Sequence, residues 1–167
     1  MTPEPSTPVV DVTFIGAGPS GLFGAFYAGL RELSVRIIDV LPLAGGQLTA
    51  LYPDKTIYDV PGHPAILAKD LVANLLQQTK NYNPTLLLGE RASTLTRVPL
   101  PGGAADESCW RIETDKGIYL TRAVILTAGI GAFEPMRLAN DSIPPFEGKG
   151  VAYIASDAPG DAVLTAL

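Results

Sequence analysis

The chain of 167 residues contains one cysteine, one histidine and one tryptophan, and only 17% of its side chains are charged. The single Cys109 excludes an intrachain disulfide and every C-x-x-C redox or zinc motif. The lone His63 adds too little for a transition-metal site built from protein ligands. The sequence also carries no Ser/His/Asp constellation for nucleophilic catalysis. We therefore expect neither a metal centre nor a catalytic side chain.

Positive charge is also scarce. Twelve basic residues stand against 17 acidic ones, the net charge is −5, and no basic stripe is present. This balance argues against binding to nucleic acid or to an anionic membrane. Residues 12–30 are uncharged and long enough to suggest a membrane helix, but glycines and Pro19 interrupt them. With no signal-peptide pattern at the N-terminus, we expect a cytoplasmic protein.

A strand–turn–helix–strand pattern occupies residues 9–39. The apolar run 9–15 predicts a buried parallel strand, and apolar side chains spaced three and four apart predict a helix over 22–33. A second apolar strand, residues 35–38, ends in Asp39. A G-x-G-x-x-G motif connects the first strand to the helix, and its predicted cofactor-binding residues are Gly16, Gly18, Pro19, Ser20 and Gly21.

This pattern is typical of dinucleotide binding. Gly16 allows a tight turn, Gly18 lets a pyrophosphate approach the backbone, and Gly21 lets the helix pack closely on the strand. The helix N-terminus then favours the phosphate charge. Asp39 would accept hydrogen bonds from a ribose. The alternative is a glycine-rich turn that binds nothing, and the motif alone does not distinguish FAD from NAD.

The remaining chain alternates between one helix and several strands. After a long loop over residues 40–64, which we interpret as wrapping around a ligand, a helix is predicted over 65–82 and a parallel strand over 86–88. Three antiparallel strands, 92–98, 109–114 and 118–123, precede a parallel strand at 124–126 and a second glycine cluster. The predicted fold is α/β, with a Rossmann-type parallel sheet and a three-stranded antiparallel crossover.

Three segments carry a resemblance to a known family. Residues 21–53 (GLFGAFYAGLRELSVRIIDVLPLAGGQLTALYP), 58–64 (YDVPGHP) and 125–135 (ILTAGIGAFEP) closely resemble ferredoxin–NADP reductases of the thioredoxin-reductase-like type. The likeness runs from about residue 11 to 151 and covers the FAD half of that family. It implies residues 9–150 as the FAD-binding domain and residues 151–167 as a short remnant. The N-terminal sequence MTPEPSTP indicates that residues 1–8 are a disordered tail.

The resemblance also implies which residues contact FAD. Asp39 would hold the adenosine ribose, Gln47 and Tyr52 would lie along the pyrophosphate and flavin, and residue 92 would meet adenine through its backbone. Phe133 would lie beside the cofactor after the second glycine turn. Outside the first glycine turn, the implied cofactor-binding residues are Asp39, Gly46, Gln47, Tyr52, Ala92, Gly129 and Phe133.

Family members are longer and contain a second dinucleotide domain for NADPH. The likeness therefore implies electron transfer from NADPH through the flavin to ferredoxin only in a full-length protein, and this chain is expected to be an incomplete, truncated form. Three hypotheses stay open: an FAD oxidoreductase, a non-catalytic FAD-binding module, and a half-domain without cofactor. An open sheet edge would favour self-association, so a homodimer is a further expectation.

Overall fold

The structure is a computed structural model that describes residues 8–131 and residue 145. Three helices and eight strands follow one another in the described part. The helices are α1 (Pro19–Leu30), α2 (Gln47–Ala50) and α3 (Ala68–Lys80). The strands are β1 (Val10–Ile15), β2 (Val35–Asp39), β3 (Thr56–Ile57), β4 (Ile66–Leu67), β5 (Thr85–Leu88), β6 (Ala92–Pro99), β7 (Ser108–Thr114) and β8 (Ile118–Leu126).

One mixed sheet of six strands, in the order β5-β2-β1-β8-β7-β6, forms the centre of the fold. Strands β5, β2, β1 and β8 are parallel to one another, whereas β8, β7 and β6 are antiparallel. The predicted Rossmann-type α/β class with a three-stranded antiparallel crossover is therefore confirmed. The minor β3–β4 pair forms a separate antiparallel ribbon.

Strand β8 belongs to both parts of the sheet. Its first residues pair with β7, its later residues pair with β1, and Thr121 has partners on both sides, Trp110 and Val10. The sequence pattern predicts two separate strands here, residues 118–123 and 124–126, and that division is wrong. No glycine or proline interrupts residues 118–126, so the backbone continues through both pairings as one strand.

The main core lies between the parallel strands and the helices α1 and α3. Val12 and Phe14 from β1, Ile37 from β2 and Leu22 from α1 are almost completely buried there. Alternate residues of β1 and β2 point to this face, as the period of a strand requires. Burial of these apolar side chains fixes the strand register, because a slip by one residue would turn them to the other face.

The opposite face of β2 carries a buried arginine. The Arg36 guanidinium donates hydrogen bonds to the backbone oxygens of Leu120, at 3.1 Å, and of Pro8, at 3.3 Å, and lies 4.8 Å from the centre of the Tyr119 ring. Burial lowers the pKa of Arg36 from its ordinary value. Burial also raises the pKa of Tyr119, and a hydrogen bond with Glu90 raises it further. These groups join β2 to the antiparallel strands.

Several predicted boundaries shift in the structure. Helix α1 begins at Pro19 rather than at residue 22, because proline has no N–H to lose at the first helical position. It ends at Leu30, three residues before the predicted end. The predicted loop over 40–64 contains the short helix α2 and strand β3. The helix predicted over 65–82 spans Ala68–Lys80. No helix in residues 8–131 is both long and apolar enough to cross a membrane.

Gly29 offers a test of packing between α1 and the segment after α3. A methyl group at this position would overlap the Cβ of Tyr82 and lie 2.6 Å from its Cγ. We expect Gly29→Ala to lower the free energy of unfolding by about 1–3 kcal/mol, although alanine is the better helix former.

Urea denaturation followed by circular dichroism measures this change. Asn74→Ala, on the exposed face of α3, is the matched control and should change stability by about 0.5 kcal/mol or less, in the favourable direction. A Gly29→Ala protein as stable as the parent chain would contradict the packing described here.

Candidate functional site

The glycine turn after β1 is held by its neighbours on both sides. The Gly16 N–H donates to the Ile38 oxygen at 2.8 Å. Gly16 has a φ of +115°, and a Cβ there would lie 2.6 Å from the carbonyl carbon of Thr127. A Cβ on Gly21 would overlap the Gly16 oxygen. These two glycines are therefore required by the packing of β1, α1 and the end of β8, whether or not a ligand is bound.

Gly18 differs from those two glycines. Among the described residues, a Cβ built on it meets no atom within 4 Å, and its φ of −69° suits any residue. A Cβ on Gly46, in the loop after β2, would lie 3.2 Å from the Gly18 Cα. Two glycines from distant parts of the sequence thus face each other beside open space. Neither packing nor the backbone angle explains why residue 18 is a glycine. Close approach of a ligand to the backbone would explain it.

The N-terminus of α1 adjoins this open space. Gly18 is its N-cap and makes no side-chain capping hydrogen bond, Pro19 is the first helical residue, and the first turn contains no acidic residue. Ser20 is exposed. The helix dipole and the uncapped N–H groups at such an end favour an anion such as a phosphate. The Gly18 backbone at this end of α1 is open on the side where a Cβ would stand.

Asp39 ends β2 next to the glycine turn, and its side chain is largely buried. Its Oδ2 accepts a hydrogen bond from the Ala17 N–H at 2.5 Å, and its Oδ1 accepts one from the Leu41 N–H at 2.8 Å. The sequence predicts only a ribose-binding role for this acid. The structure adds a second role, since the carboxylate joins β2 to the turn. Each oxygen still has acceptor capacity for a hydroxyl group.

Gln47 and Tyr52 lie near each other beyond the glycine pair. The Tyr52 hydroxyl donates to the Gln47 Oε1 at 3.2 Å, and the Gln47 Nε2 lies 3.6 Å from where a Gly129 Cβ would be. The Gly45 N–H donates to the Ala17 oxygen at 2.8 Å, which fixes this loop to the turn. The structure therefore brings Gly129 beside Gln47 and Tyr52, two predicted site residues from a distant part of the sequence.

Ala92 lies at a different part of the same edge. It begins β6, pairs with Thr114 and is half-buried. The two residues before Arg91 are bound to the end of β2, because the Gly89 N–H donates to the Leu41 oxygen and the Glu90 N–H to the Asp39 oxygen, each at 2.8 Å. Phe133 and the segment 151–167, both singled out by the sequence analysis, lie outside the described residues.

Thr127 is a site residue to which the sequence analysis assigned no role. Its hydroxyl donates a hydrogen bond to the Gly16 oxygen at 2.9 Å, and its N–H donates to the Ile15 oxygen at 2.8 Å. It thereby fixes the end of β8 against the glycine turn. Thr127 follows an apolar strand and directly precedes a glycine cluster, and this position in the sequence could have identified it as a site residue. In residues 8–131, no cluster of three or more His, Cys, Asp or Glu side chains could hold a metal ion.

Comparison with known proteins finds several related ferredoxin–NADP reductases. No family model matches the chain. Ferredoxin–NADP reductase 2 of Listeria monocytogenes serotype 4b is 46% identical over 154 residues, which is 92% of this chain and 44% of that protein. The ferredoxin–NADP reductase of Thermus thermophilus is 50% identical over 144 residues, which is 86% of this chain and 41% of that protein.

Solved structures of thioredoxin reductases share the fold. The thioredoxin reductase of T. acidophilum is 25% identical, with a TM-score of 0.63 over 86% of this chain and 42% of that one. The enzyme of Lactococcus lactis, at 19% identity and a TM-score of 0.64, is similar in fold alone. The resemblance stated from the sequence is confirmed, and the chain spans less than half the length of the relatives it matches.

Asp39 allows the structural part of the site to be tested without any ligand. Asp39→Ala leaves the Ala17 and Leu41 N–H groups without their acceptor, so we expect the free energy of unfolding to fall by about 1–3 kcal/mol. Urea denaturation of ligand-free protein measures the change. The control Asp59→Ala removes an exposed acid and should cost about 0.5 kcal/mol or less. Equal losses in the two variants would contradict the role of Asp39 described here.

Proposed function

We propose that this chain, which is related over most of its length to the N-terminal part of ferredoxin–NADP reductases of the thioredoxin-reductase-like type, binds FAD. The observation that carries the proposal is the pair Gly18 and Gly46, which face each other beside open space at the N-terminus of α1. A pyrophosphate placed there meets backbone instead of side chains, and the helix dipole stabilises its charge.

The residues present fit both ends of the cofactor. On one side, Asp39 closes β2 and retains lone pairs for the hydroxyls of an adenosine ribose. Ala92, beside the Gly89–Glu90 turn, lies on that same side. On the other side of Gly18, Gln47 lies close to both Tyr52 and Gly129. This group is where the flavin would lie beyond the pyrophosphate. We assign the adenosine to the first group and the flavin to the second, with Phe133 as a further flavin contact.

The chain's own residues bind and orient the cofactor, and none of those described needs to act as a general acid or base. FAD held by these residues would supply the redox chemistry, namely uptake of a hydride from a nicotinamide and release of single electrons. The buried parallel strands keep the glycine turn, Asp39 and Thr127 in fixed positions relative to one another. The protein's contribution is thus a rigid binding edge at the carboxyl ends of β1, β2 and β8.

Beyond FAD binding, we also propose a reaction for a longer protein that contains this chain. In a protein of the relatives' length, we propose electron transfer from NADPH through the flavin to ferredoxin, in the cytoplasm. The 167 residues contain one G-x-G-x-x-G motif, at residues 16–21. We assign that motif to FAD and residues 9–150 to the FAD-binding domain. NADPH and ferredoxin are proposed as partners of a longer protein, and a homodimer as the assembly.

The visible spectrum of the purified chain tests FAD binding directly. Flavin absorption that copurifies with the protein, or appears after FAD is added and unbound ligand removed, supports the proposal. A protein that stays colourless under both conditions refutes it and favours a half-domain without cofactor. Anaerobic addition of NADPH then distinguishes the remaining hypotheses: bleaching of the flavin indicates a reductase, and an unchanged spectrum indicates a binding module.

A substitution at Gly18 can weaken cofactor binding without changing the stability of the fold. A methyl group at this position has space in the protein but would occupy the side from which the pyrophosphate approaches. We expect Gly18→Ala to change the free energy of unfolding by about 0.5 kcal/mol or less and to weaken FAD binding roughly 10- to 100-fold. Fluorescence titration of FAD into ligand-free protein measures the affinity.

Gly16→Ala is the matched comparison within the same motif. Its methyl group would overlap the Thr127 backbone, and its φ is positive, so this variant should lose stability as well as FAD. If Gly18→Ala instead bound FAD with the affinity of the parent chain, the pyrophosphate would not lie over Gly18.

A further inference from the structure

The hairpin that joins β7 to β8, residues 115–117, is attached to the end of β2 through the Glu90–Arg91 segment. The Thr114 hydroxyl donates to the Glu90 carboxylate at 2.5 Å, and the Asp115 carboxylate accepts from the Arg91 N–H at 2.9 Å. The Asp115 N–H donates back to the Arg91 oxygen at 3.1 Å, and the Glu90 N–H donates to the Asp39 oxygen. The hairpin is thus held beside the adenosine side of the proposed FAD site.

Most backbone donors on this side are already used within the protein. The N–H groups of Ala17 and Leu41 bind the Asp39 carboxylate. The Gly89 N–H binds the Leu41 oxygen, and the Arg91 N–H binds Asp115. Asp39 itself can only accept hydrogen bonds when ionised. A ligand that presents acceptors here, such as the ring nitrogens of adenine or the ribose oxygens, therefore finds few backbone donors besides that of Ala92. A side-chain donor would add to them.

Lys116, at the tip of the hairpin, is placed to be that donor. Its ammonium lies 3.7 Å from the position of a Cβ built on Gly89, directly beside the turn that is bound to β2. The Lys116 side chain is exposed. Within residues 8–131 its ammonium has neither a hydrogen bond nor an ion pair. A free ammonium has three donors and no acceptor, which complements the acceptor-only Asp39.

We infer that Lys116 is a further cofactor-binding residue, which donates a hydrogen bond to the adenosine moiety of the dinucleotide. The inference rests on the proposed function and deepens it, because it assigns a donor to the adenosine side. It also gives the antiparallel crossover a role in binding: the hairpin presents the ammonium, and the hydrogen bonds of Asp115 and Thr114 keep it in place. The alternative is a solvated lysine that only attracts the anionic cofactor from a distance.

Titration of FAD and of ADP into the full ligand-free chain distinguishes a contact from distant attraction. ADP carries the adenosine end without the flavin, so loss of a contact at that end weakens both ligands equally. We expect Lys116→Met to weaken FAD and ADP roughly tenfold each, and Lys116→Arg to retain most of the affinity. The loss should persist in about 1 M sodium chloride, where the Debye length is about 3 Å.

Lys80→Met is the matched control. Lys80 is exposed in the last turn of α3 and carries the same charge, but it precedes β5 and therefore lies at the opposite edge of the sheet. This variant should bind FAD and ADP as the parent chain does. Circular dichroism and urea denaturation establish that both variants are folded.

Three results would overturn the inference while leaving FAD binding intact. They are unchanged ADP affinity in Lys116→Met, a loss that disappears in high salt, and an equal loss in Lys80→Met. If the parent chain takes up no FAD under any condition, the proposed function itself fails and the inference fails with it. A tenfold loss of both ligands that is specific to Lys116→Met and resistant to salt supports the role of Lys116.

Discussion

The hydrogen bonds of the Asp39 carboxylate are the constraint on which the candidate site depends. One oxygen binds the N–H of Ala17 inside the glycine turn, and the other binds the N–H of Leu41 just beyond β2. A buried ionised group that accepts two backbone donors holds its neighbours more firmly than neutral hydrogen bonds do. The end of β2 and the turn after β1 are therefore fixed to each other before any ligand arrives.

The other parts of the site are attached to this pair. Thr127 connects the end of β8 to Gly16, and Gly45 connects the loop after β2 to Ala17. Both links end on backbone oxygens of the same turn, so three distant segments meet where parallel strands present their carboxyl ends. Gly18 and Gly46 then leave the space for a ligand.

The continuity of β8 gives the antiparallel strands a second purpose. Because one strand pairs with both β1 and β7, the crossover is a rigid extension of the parallel sheet and not a loosely attached insertion. Its hairpin is consequently held against the end of β2, where Thr114 binds Glu90 and Asp115 binds Arg91. The same rigidity places the Lys116 ammonium beside the adenosine side of the proposed site.

The sequence by itself determined the α/β class, the parallel orientation of the first strands, the glycine turn and the position of Asp39 at a strand end. Those features follow from local apolar periodicity and from glycine and proline chemistry, which act over a few residues. Only the tertiary structure decided that 118–126 is one strand, that Thr127 binds Gly16, and that Gly46 faces Gly18. These depend on pairing between segments far apart in the chain, and nothing in the local residue pattern specifies which of them meet. The same reason separates the glycines: the motif makes Gly16, Gly18 and Gly21 look alike, and only their neighbours in space distinguish two packing positions from one that is open to a ligand.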